Sequence, residues 1–154
     1  NSFVSLIKNN LTFDALVYPK HLDNLFKLLN KFPDLKVVID HGGKPQIKNN
    51  EINSWKIKIN KLAKNTNAYC KVSGLITEAS SDWKEETIKQ YIDILFEAFG
   101  TKRLMWGSDW PVVNLSGNYI KWFELIQNYT FELNDEEKDS FYRKNACIFY
   151  NIND

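Results

Sequence analysis

This sequence has neither an excess of charge of one sign nor a long apolar run. Its 154 residues include 20 basic and 19 acidic side chains, for a net charge of +1. This balance gives no electrostatic reason to expect a nucleic acid or an anionic membrane surface as a partner. No apolar run approaches the ~20 residues that a membrane-spanning helix requires, and the first residues show no signal-peptide pattern. We therefore expect no nucleic-acid partner and no membrane partner.

Cysteine and methionine are also scarce. Cys70 and Cys147 lie far apart and form no CxxC pair, so neither a disulfide framework nor a zinc site of that kind is expected. We expect two reduced thiols in a cytoplasmic protein. The only methionine is Met105, and the chain starts at Asn1. We therefore expect that the native start lies upstream and that the N-terminal part of the protein is missing.

What the sequence does contain is an alternation of strand-like and helix-like segments. Apolar and β-branched runs predict strands at 11–17, 35–39, 68–73 and 103–107, whereas apolar residues at helical spacing predict helices at 21–31, 52–62, 88–96 and 119–129. Asn134, with Glu137 three residues later, is typical of the start of a final helix. Alternating strands and helices predict an α/β fold with a parallel sheet. Four such units make half of an eight-stranded barrel, which needs ~250 residues.

Two predicted strands end in residues that are suited to chemistry. His41 follows the second strand and Asp109 follows the fourth, and reactive groups of parallel α/β folds lie at these ends. An aspartate can take a proton from water or hold a metal, and a histidine can polarise a substrate or relay a proton. The alternatives are a packing histidine and a turn-capping aspartate. We expect His21 to serve a helix start and Asp40 to point away from His41 as a supporting hydrogen-bonding group.

Other residues near these strand ends are weaker candidates. Two glycines precede Lys44, but the following proline and the missing upstream glycine exclude a phosphate-binding Walker loop. Lys44 remains a candidate for contacting a substrate carboxylate or hydroxyl. Trp83, Trp106 and Trp110 are candidates for stacking on a sugar-like ring, although such residues more often belong to the core or its rim.

Taken together, five segments of the sequence resemble the motifs of a known family. The segments appear in a fixed order over residues 11–150: Phe13-Asp14 through Pro19, VIDHGGKP (38–45), YCKVSGL (69–75), RLMWGSDWP (103–111) and Asn145-Ala146 with Phe149-Tyr150. They are similar to those of the amidohydrolase-2 family, in its sugar-lactonase-like branch. The resemblance implies that 1–154 is one partial domain, the C-terminal half (strands five to eight) of a (β/α)8 TIM-like barrel.

The resemblance also implies roles for individual residues. His41 matches a sixth-strand histidine that is catalytic or polarises the substrate, and Asp109 matches an eighth-strand aspartate that is a metal ligand, a general base, or both. Tyr18 stands where metal-dependent relatives have a histidine ligand. Together with the candidates chosen from the residues themselves, the predicted substrate-binding residues are Lys44, Tyr18, Trp83 and Trp110. A divalent metal, zinc or manganese, is implied for the family, but the His-x-His pair of its first strand is missing here.

Three functions follow as hypotheses. The first is a hydrolase that opens a small-molecule sugar lactone, with Asp109 as base or metal ligand and His41 as polariser or proton relay. The second is a decarboxylase or hydratase on the same scaffold, since fold does not determine reaction. The third is a non-catalytic half-barrel that pairs with itself as a homo-oligomer or with a missing half. We expect the fragment alone to be an incomplete enzyme. A nucleotide-binding domain is the least favoured reading, because no glycine-rich phosphate loop follows any strand.

Overall fold

A computed structural model describes residues 2–153, so the prediction about where the native chain starts lies outside the described residues. Its centre is a parallel sheet of four strands in the order β1-β2-β3-β4. The strands are β1 (Thr12–Ala15), β2 (Lys36–Ile39), β3 (Tyr69–Val72) and β4 (Leu104–Trp106). Each is shorter than predicted, because the residues beyond the paired register leave the sheet to enter the loops. The predicted parallel α/β fold is confirmed.

The helices follow the predicted alternation, with one addition at the start. They are α1 (Ser2–Lys8), α2 (Leu22–Lys31), α3 (Ile52–Asn65), α4 (Glu85–Phe99), α5 (Tyr119–Tyr129), α6 (Asp135–Asp139) and α7 (Asn145–Tyr150). The capping box predicted from Asn134 and Glu137 is present, with the Asn134 side chain accepting from the Glu137 amide at 3.0 Å. A π-helical segment, Ser140–Lys144, separates α6 from α7. The predicted final helix is therefore a continuous helical segment, residues 135–150, that is interrupted by one π-helical stretch.

Both faces of the sheet are covered by apolar residues. Val37, Ile39 and Val72 face the helices and belong to the main apolar core. Val38 and Met105 face the other side, where they pack with residues of β3 and α7. The run of three buried residues in β2 confirms the prediction of a strand covered on both faces.

The two cysteines, Cys70 and Cys147, are not joined by a disulfide bond. Burial raises the pKa of the Cys70 thiol, which lies within β3, so it is held in its unreactive protonated form. That both thiols remain reduced in the cell stays a prediction. Among residues 2–153 there is also no helix long and apolar enough to cross a membrane.

Candidate active site

The loop after β2 carries the first candidate residue, His41. His41 has a positive φ of 53°, and Gly42, Gly43 and Lys44 continue in the same left-handed region at 59°, 73° and 48°. Glycine enters this region without a steric penalty, whereas a residue with a side chain enters it at a cost in conformational energy. Trp55 of α3 holds the loop by donating its indole N–H to the Gly42 carbonyl at 2.7 Å. The sharp turn thus projects His41 from the carboxyl end of the sheet.

The loop after β4 carries the second candidate residue, Asp109, in a similar way. Asp109 also has a positive φ, of 56°, and its carbonyl accepts a hydrogen bond from the Val113 amide at 2.8 Å. The following Trp110-Pro111 peptide bond is cis. Trp122 of α5 donates its indole N–H to the Gly107 carbonyl at 2.9 Å. A buried tryptophan therefore fixes each of the two loops to a neighbouring helix.

The two loops bring His41 and Asp109 together. The distance from His41 Nε2 to Asp109 Oδ1 is 3.6 Å, and the two side chains are 22% and 10% exposed. Residues 68 positions apart in sequence therefore share one mouth at the carboxyl end of the sheet. A reaction that combines a general base with a polarising group requires two such side chains close to each other.

A third residue, Ser73, contacts the other nitrogen of His41. Ser73 follows β3 and is buried, and its Oγ lies 2.8 Å from His41 Nδ1. The hydroxyl therefore holds the imidazole in a single orientation while Nε2 faces Asp109. Sequence analysis did not single out Ser73, although it lies in the YCKVSGL motif. Its position directly after a parallel strand is the signal that could have identified it.

Gly74 gives the His41 ring its space. A Cβ on Gly74 would lie 2.7 Å from two atoms of the imidazole, Cγ and Nδ1, and its φ is +61°. Any larger residue would displace the ring from Ser73 and Asp109. The glycine is required here by close approach as well as by backbone conformation.

The surroundings of His41 favour its neutral form. Burial lowers the pKa of His41 below its ordinary value, and the nearby carboxylates of Asp109 and Asp40 oppose this effect. A lowered pKa leaves the imidazole uncharged at neutral pH. Neutral His41 carries one N–H and one lone pair, so it can donate one hydrogen bond and accept another.

An ion pair lies in the loops next to the His41–Asp109 pair. Lys44 forms an ion pair with Glu78, and its Nζ lies 5.6 Å from the centre of the Tyr18 ring. Tyr18, Thr77 and Glu78 line an open groove of about 390 Å³. The structure therefore brings Tyr18 and Lys44 together, and it adds Glu78, which sequence analysis did not select. Glu78 occupies a polar loop with no distinctive spacing, so the sequence carried no signal for it.

The tryptophans occupy different environments. Trp110 is 67% exposed beside Asp109. Trp83 is buried and donates its indole N–H to the Ser116 carbonyl at 2.7 Å. The Lys121 Nζ lies over its ring, 4.1 Å from the ring centre. Trp106 packs edge-on against Tyr119. Trp83 and Trp106 thus stabilise the region after β4, and of the three only Trp110 presents its ring to solvent near the His41–Asp109 pair.

The remaining sequence candidates have supporting contacts. His21 lies at the start of α2, where its Nδ1 accepts from the Tyr18 amide at 3.3 Å. Asp40 pairs with Lys71 at 2.8 Å. Lys71 also contacts Asp14 at 2.7 Å, and the two carboxylates raise its pKa despite its partial burial. His21 and Asp40 therefore have the structural roles that were expected.

The described residues do not form a metal site by themselves. Between residues 2 and 153 no group of three or more histidine, cysteine, aspartate or glutamate side chains is arranged to hold an ion. His41 and Asp109 would supply two of the three protein ligands that a catalytic zinc site usually has. The donor set of the described residues therefore does not fit a complete metal centre.

Fold and site together define a class of protein. A parallel sheet with helices, and a His–Asp pair on loops at the carboxyl ends of its strands, is the arrangement of α/β barrel hydrolases. Residues 5–152 match the amidohydrolase family. The chain belongs to that family, and the resemblance seen in the motifs is confirmed.

The most informative relatives are lactonases. The chain is 36% identical over 154 residues to the L-fucono-1,5-lactonase of Burkholderia ambifaria, covering 96% of this chain and 52% of that protein. It is 32% identical over 133 residues to the L-fucono-1,5-lactonase of Burkholderia multivorans, covering 79% of this chain and 44% of that protein. The chain thus spans about half the length of the curated relatives that it matches.

A solved structure shows the same fold. An amidohydrolase from Burkholderia multivorans with bound zinc superposes with a TM-score of 0.90 at 29% identity, covering 96% of this chain and 55% of that one. The four strands and their helices therefore correspond to half of an amidohydrolase barrel. The half-barrel prediction is confirmed.

Proposed function

We propose that the protein containing this chain hydrolyses a sugar lactone. The observation that carries the proposal is the 3.6 Å approach of His41 Nε2 to Asp109 Oδ1 at the carboxyl end of the sheet. The similarity to two L-fucono-1,5-lactonases supports the choice of a lactone over other cyclic substrates. The chain would be the C-terminal half of the barrel, and the remaining half would complete the substrate site.

In the proposed reaction Asp109 acts as the general base. Its carboxylate takes a proton from a water molecule, whose oxygen forms a bond to the lactone carbonyl carbon. Neutral His41 donates a hydrogen bond from its N–H to stabilise the negative charge on the tetrahedral intermediate. The ring C–O bond then breaks, and the proton held by Asp109 passes to the departing alkoxide, directly or through His41. The products are a hydroxyl and a carboxylic acid.

A metal ligand role for Asp109 remains a prediction. The amidohydrolase from Burkholderia multivorans with bound zinc supports this prediction, and zinc or manganese would act as a Lewis acid on the carbonyl. Further ligands would have to come from residues outside this chain. The cytoplasmic location and the possible homo-oligomer also remain predictions.

Substitution of Asp109 tests the proposal in the full-length protein. The variant Asp109→Asn should lower kcat for L-fucono-1,5-lactone by about 10²–10⁴-fold, because the amide cannot accept the proton. The measurement is acid release at constant pH, with circular dichroism to verify folding. The exposed residue Asp34 provides the control, since Asp34→Asn changes the same group far from the mouth.

Two results would contradict the mechanism. Normal lactone turnover by Asp109→Asn would remove Asp109 as the base. Release of carbon dioxide from a carboxylated aromatic acid, without lactone opening by the unmodified protein, would favour the decarboxylase hypothesis instead.

A further inference from the structure

The lysines around the mouth are neutralised by carboxylates. Lys44 is paired with Glu78, and Lys71 is held between Asp14 and Asp40. Asp109 adds another carboxylate at the same end of the sheet. Acidic groups therefore outnumber these two basic groups in this region, and neither ammonium is left without a counter-ion.

The Lys44–Glu78 pair is built into the site rather than lying on the outer surface. The side chains are 20% and 19% exposed, so their attraction is screened less than that of a fully solvated pair. Lys44 is three residues after His41 in the same left-handed loop. Glu78 belongs to the turn after Gly74, where Thr77 donates its hydroxyl to the Gly74 carbonyl at 2.7 Å. The two loops that position His41 thus also supply the two members of the pair.

The groove beside the pair is suited to an uncharged, hydroxylated ligand. A hydroxyl group can donate to Glu78 and accept from Lys44 at the same time, so such a ligand is recognised without breaking the pair. The ring of Tyr18, which is 47% exposed and lies under the Lys44 ammonium, offers an apolar surface for the carbon face of a sugar. A carboxylate on the ligand would instead compete with Glu78 for Lys44 and would be repelled by Glu78.

We propose that the Lys44–Glu78 ion pair is a specificity-determining element that admits a neutral, polyhydroxylated lactone and excludes a lactone that carries a carboxylate. The inference rests on the proposed lactonase function and adds the charge of the substrate and the residues that select it. The Glu78 carboxylate repels a substrate that carries a carboxylate. It also neutralises the positive charge of Lys44, which would otherwise attract such a substrate.

Two matched substrates test this inference in the full-length protein. One is an aldono-1,5-lactone, and the other carries a carboxylate in place of its CH2OH group. The variant Glu78→Gln releases the charge of Lys44, and it should raise kcat/KM for the carboxylated lactone relative to the neutral one by about tenfold or more. Lys44→Met leaves Glu78 without its partner, and it should lower the same ratio. The change should reside mainly in KM, because the pair is proposed to contact substrate away from the reacting carbonyl.

Lys36 provides the matched control. It is exposed at the amino end of β2, opposite the mouth, so Lys36→Met should change the ratio by less than about threefold, as expected for a solvated charge. A second measurement needs no variant. Raising the salt concentration should lower KM for the carboxylated lactone and leave KM for the neutral lactone unchanged, since screening weakens the repulsion.

The outcomes separate this inference from the proposed function. If neither lactone is hydrolysed by the unmodified protein, the lactonase function is wrong. If the neutral lactone is hydrolysed and folded Glu78→Gln leaves the ratio unchanged, the pair only joins two loops and the inference is overturned. Should Glu78→Gln fail to fold, an unchanged ratio in Lys44→Met overturns it equally.

Discussion

At the scale of single residues, the two proposed catalytic groups share an uncommon backbone conformation. His41 and Asp109 both have positive φ, at 53° and 56°. Such conformations cost about 1–3 kcal/mol each for residues with side chains, and they persist where the surrounding structure enforces them. Here the enforcement comes from the tryptophan hydrogen bonds to Gly42 and Gly107. Strain at these residues is the cost of placing the two side chains at one mouth.

Gly74 is the residue whose substitution should disturb the site most directly. Gly74→Ala should lower the free energy of unfolding by about 1–3 kcal/mol through overpacking against His41, in addition to the strain of its left-handed backbone. It should also reduce lactone turnover, because the imidazole is pushed from Ser73 and Asp109. Chemical denaturation and kcat are the measurements.

Gly100 offers a control for the backbone contribution. Its φ is also positive, at +63°, its ψ is 172°, and a Cβ there would meet nothing within 4 Å. Because this backbone conformation is essentially restricted to glycine, Gly100→Ala should lower stability through backbone strain alone and spare the activity. Adding His41→Ala to Gly74→Ala should restore part of the lost stability. An equal loss of activity in both glycine variants would mean that contact with His41 is not the cause.

At the scale of secondary-structure elements, the C-terminal helix is tied to the sheet by polar contacts. Tyr150, at the end of α7, donates its hydroxyl to Asp14 of β1 at 2.7 Å. The Asn145 side chain, at the start of α7, donates to the carbonyls of Thr101 and Leu104 at 2.7 Å each. The two ends of α7 are thus attached to the first and last strands of the sheet.

Asn145 should be important for the stability of this attachment. Asn145→Ala leaves the Leu104 carbonyl without this buried partner, and we expect a loss of about 1–3 kcal/mol in the free energy of unfolding. Urea denaturation measures the difference. Asn128→Ala on the exposed side of α5 is the control and should change stability by less than about 0.5 kcal/mol. Equal effects of the two variants would show that the Asn145 hydrogen bonds contribute nothing specific.

At the scale of the whole molecule, the sheet of the described residues has two edges. β1 and β4 each pair with one neighbour only. An uncovered edge strand presents unpaired backbone groups and promotes association with another chain. The closed barrel of a complete amidohydrolase would have no such edges.

The chain produced alone should therefore self-associate. Light scattering after size exclusion should give a mass of at least twice 18.1 kDa, because pairing at β1 or β4 satisfies the exposed backbone groups. Co-expression with the remaining half of the barrel should remove this association. A stable monomer at micromolar concentration would show that the edges are protected within this chain.

Much of the architecture could be predicted from local pattern. Apolar periodicity located the strands and helices, and α5 has the predicted bounds of 119–129. The position of His41 and Asp109 after buried strands followed from the same pattern, because strand ends of a parallel sheet share one side. Local pattern did not indicate which residues contact them.

The sequence by itself determined the order of the elements, the parallel sheet, the family and the two strand ends that carry chemistry. Only the tertiary structure decided that Ser73 contacts His41, that Glu78 pairs with Lys44 and that Trp83 is buried under Lys121. The physical reason is that periodicity reports which face of an element is buried. The paths of loops from different strands, which bring distant residues into contact, depend on packing throughout the fold.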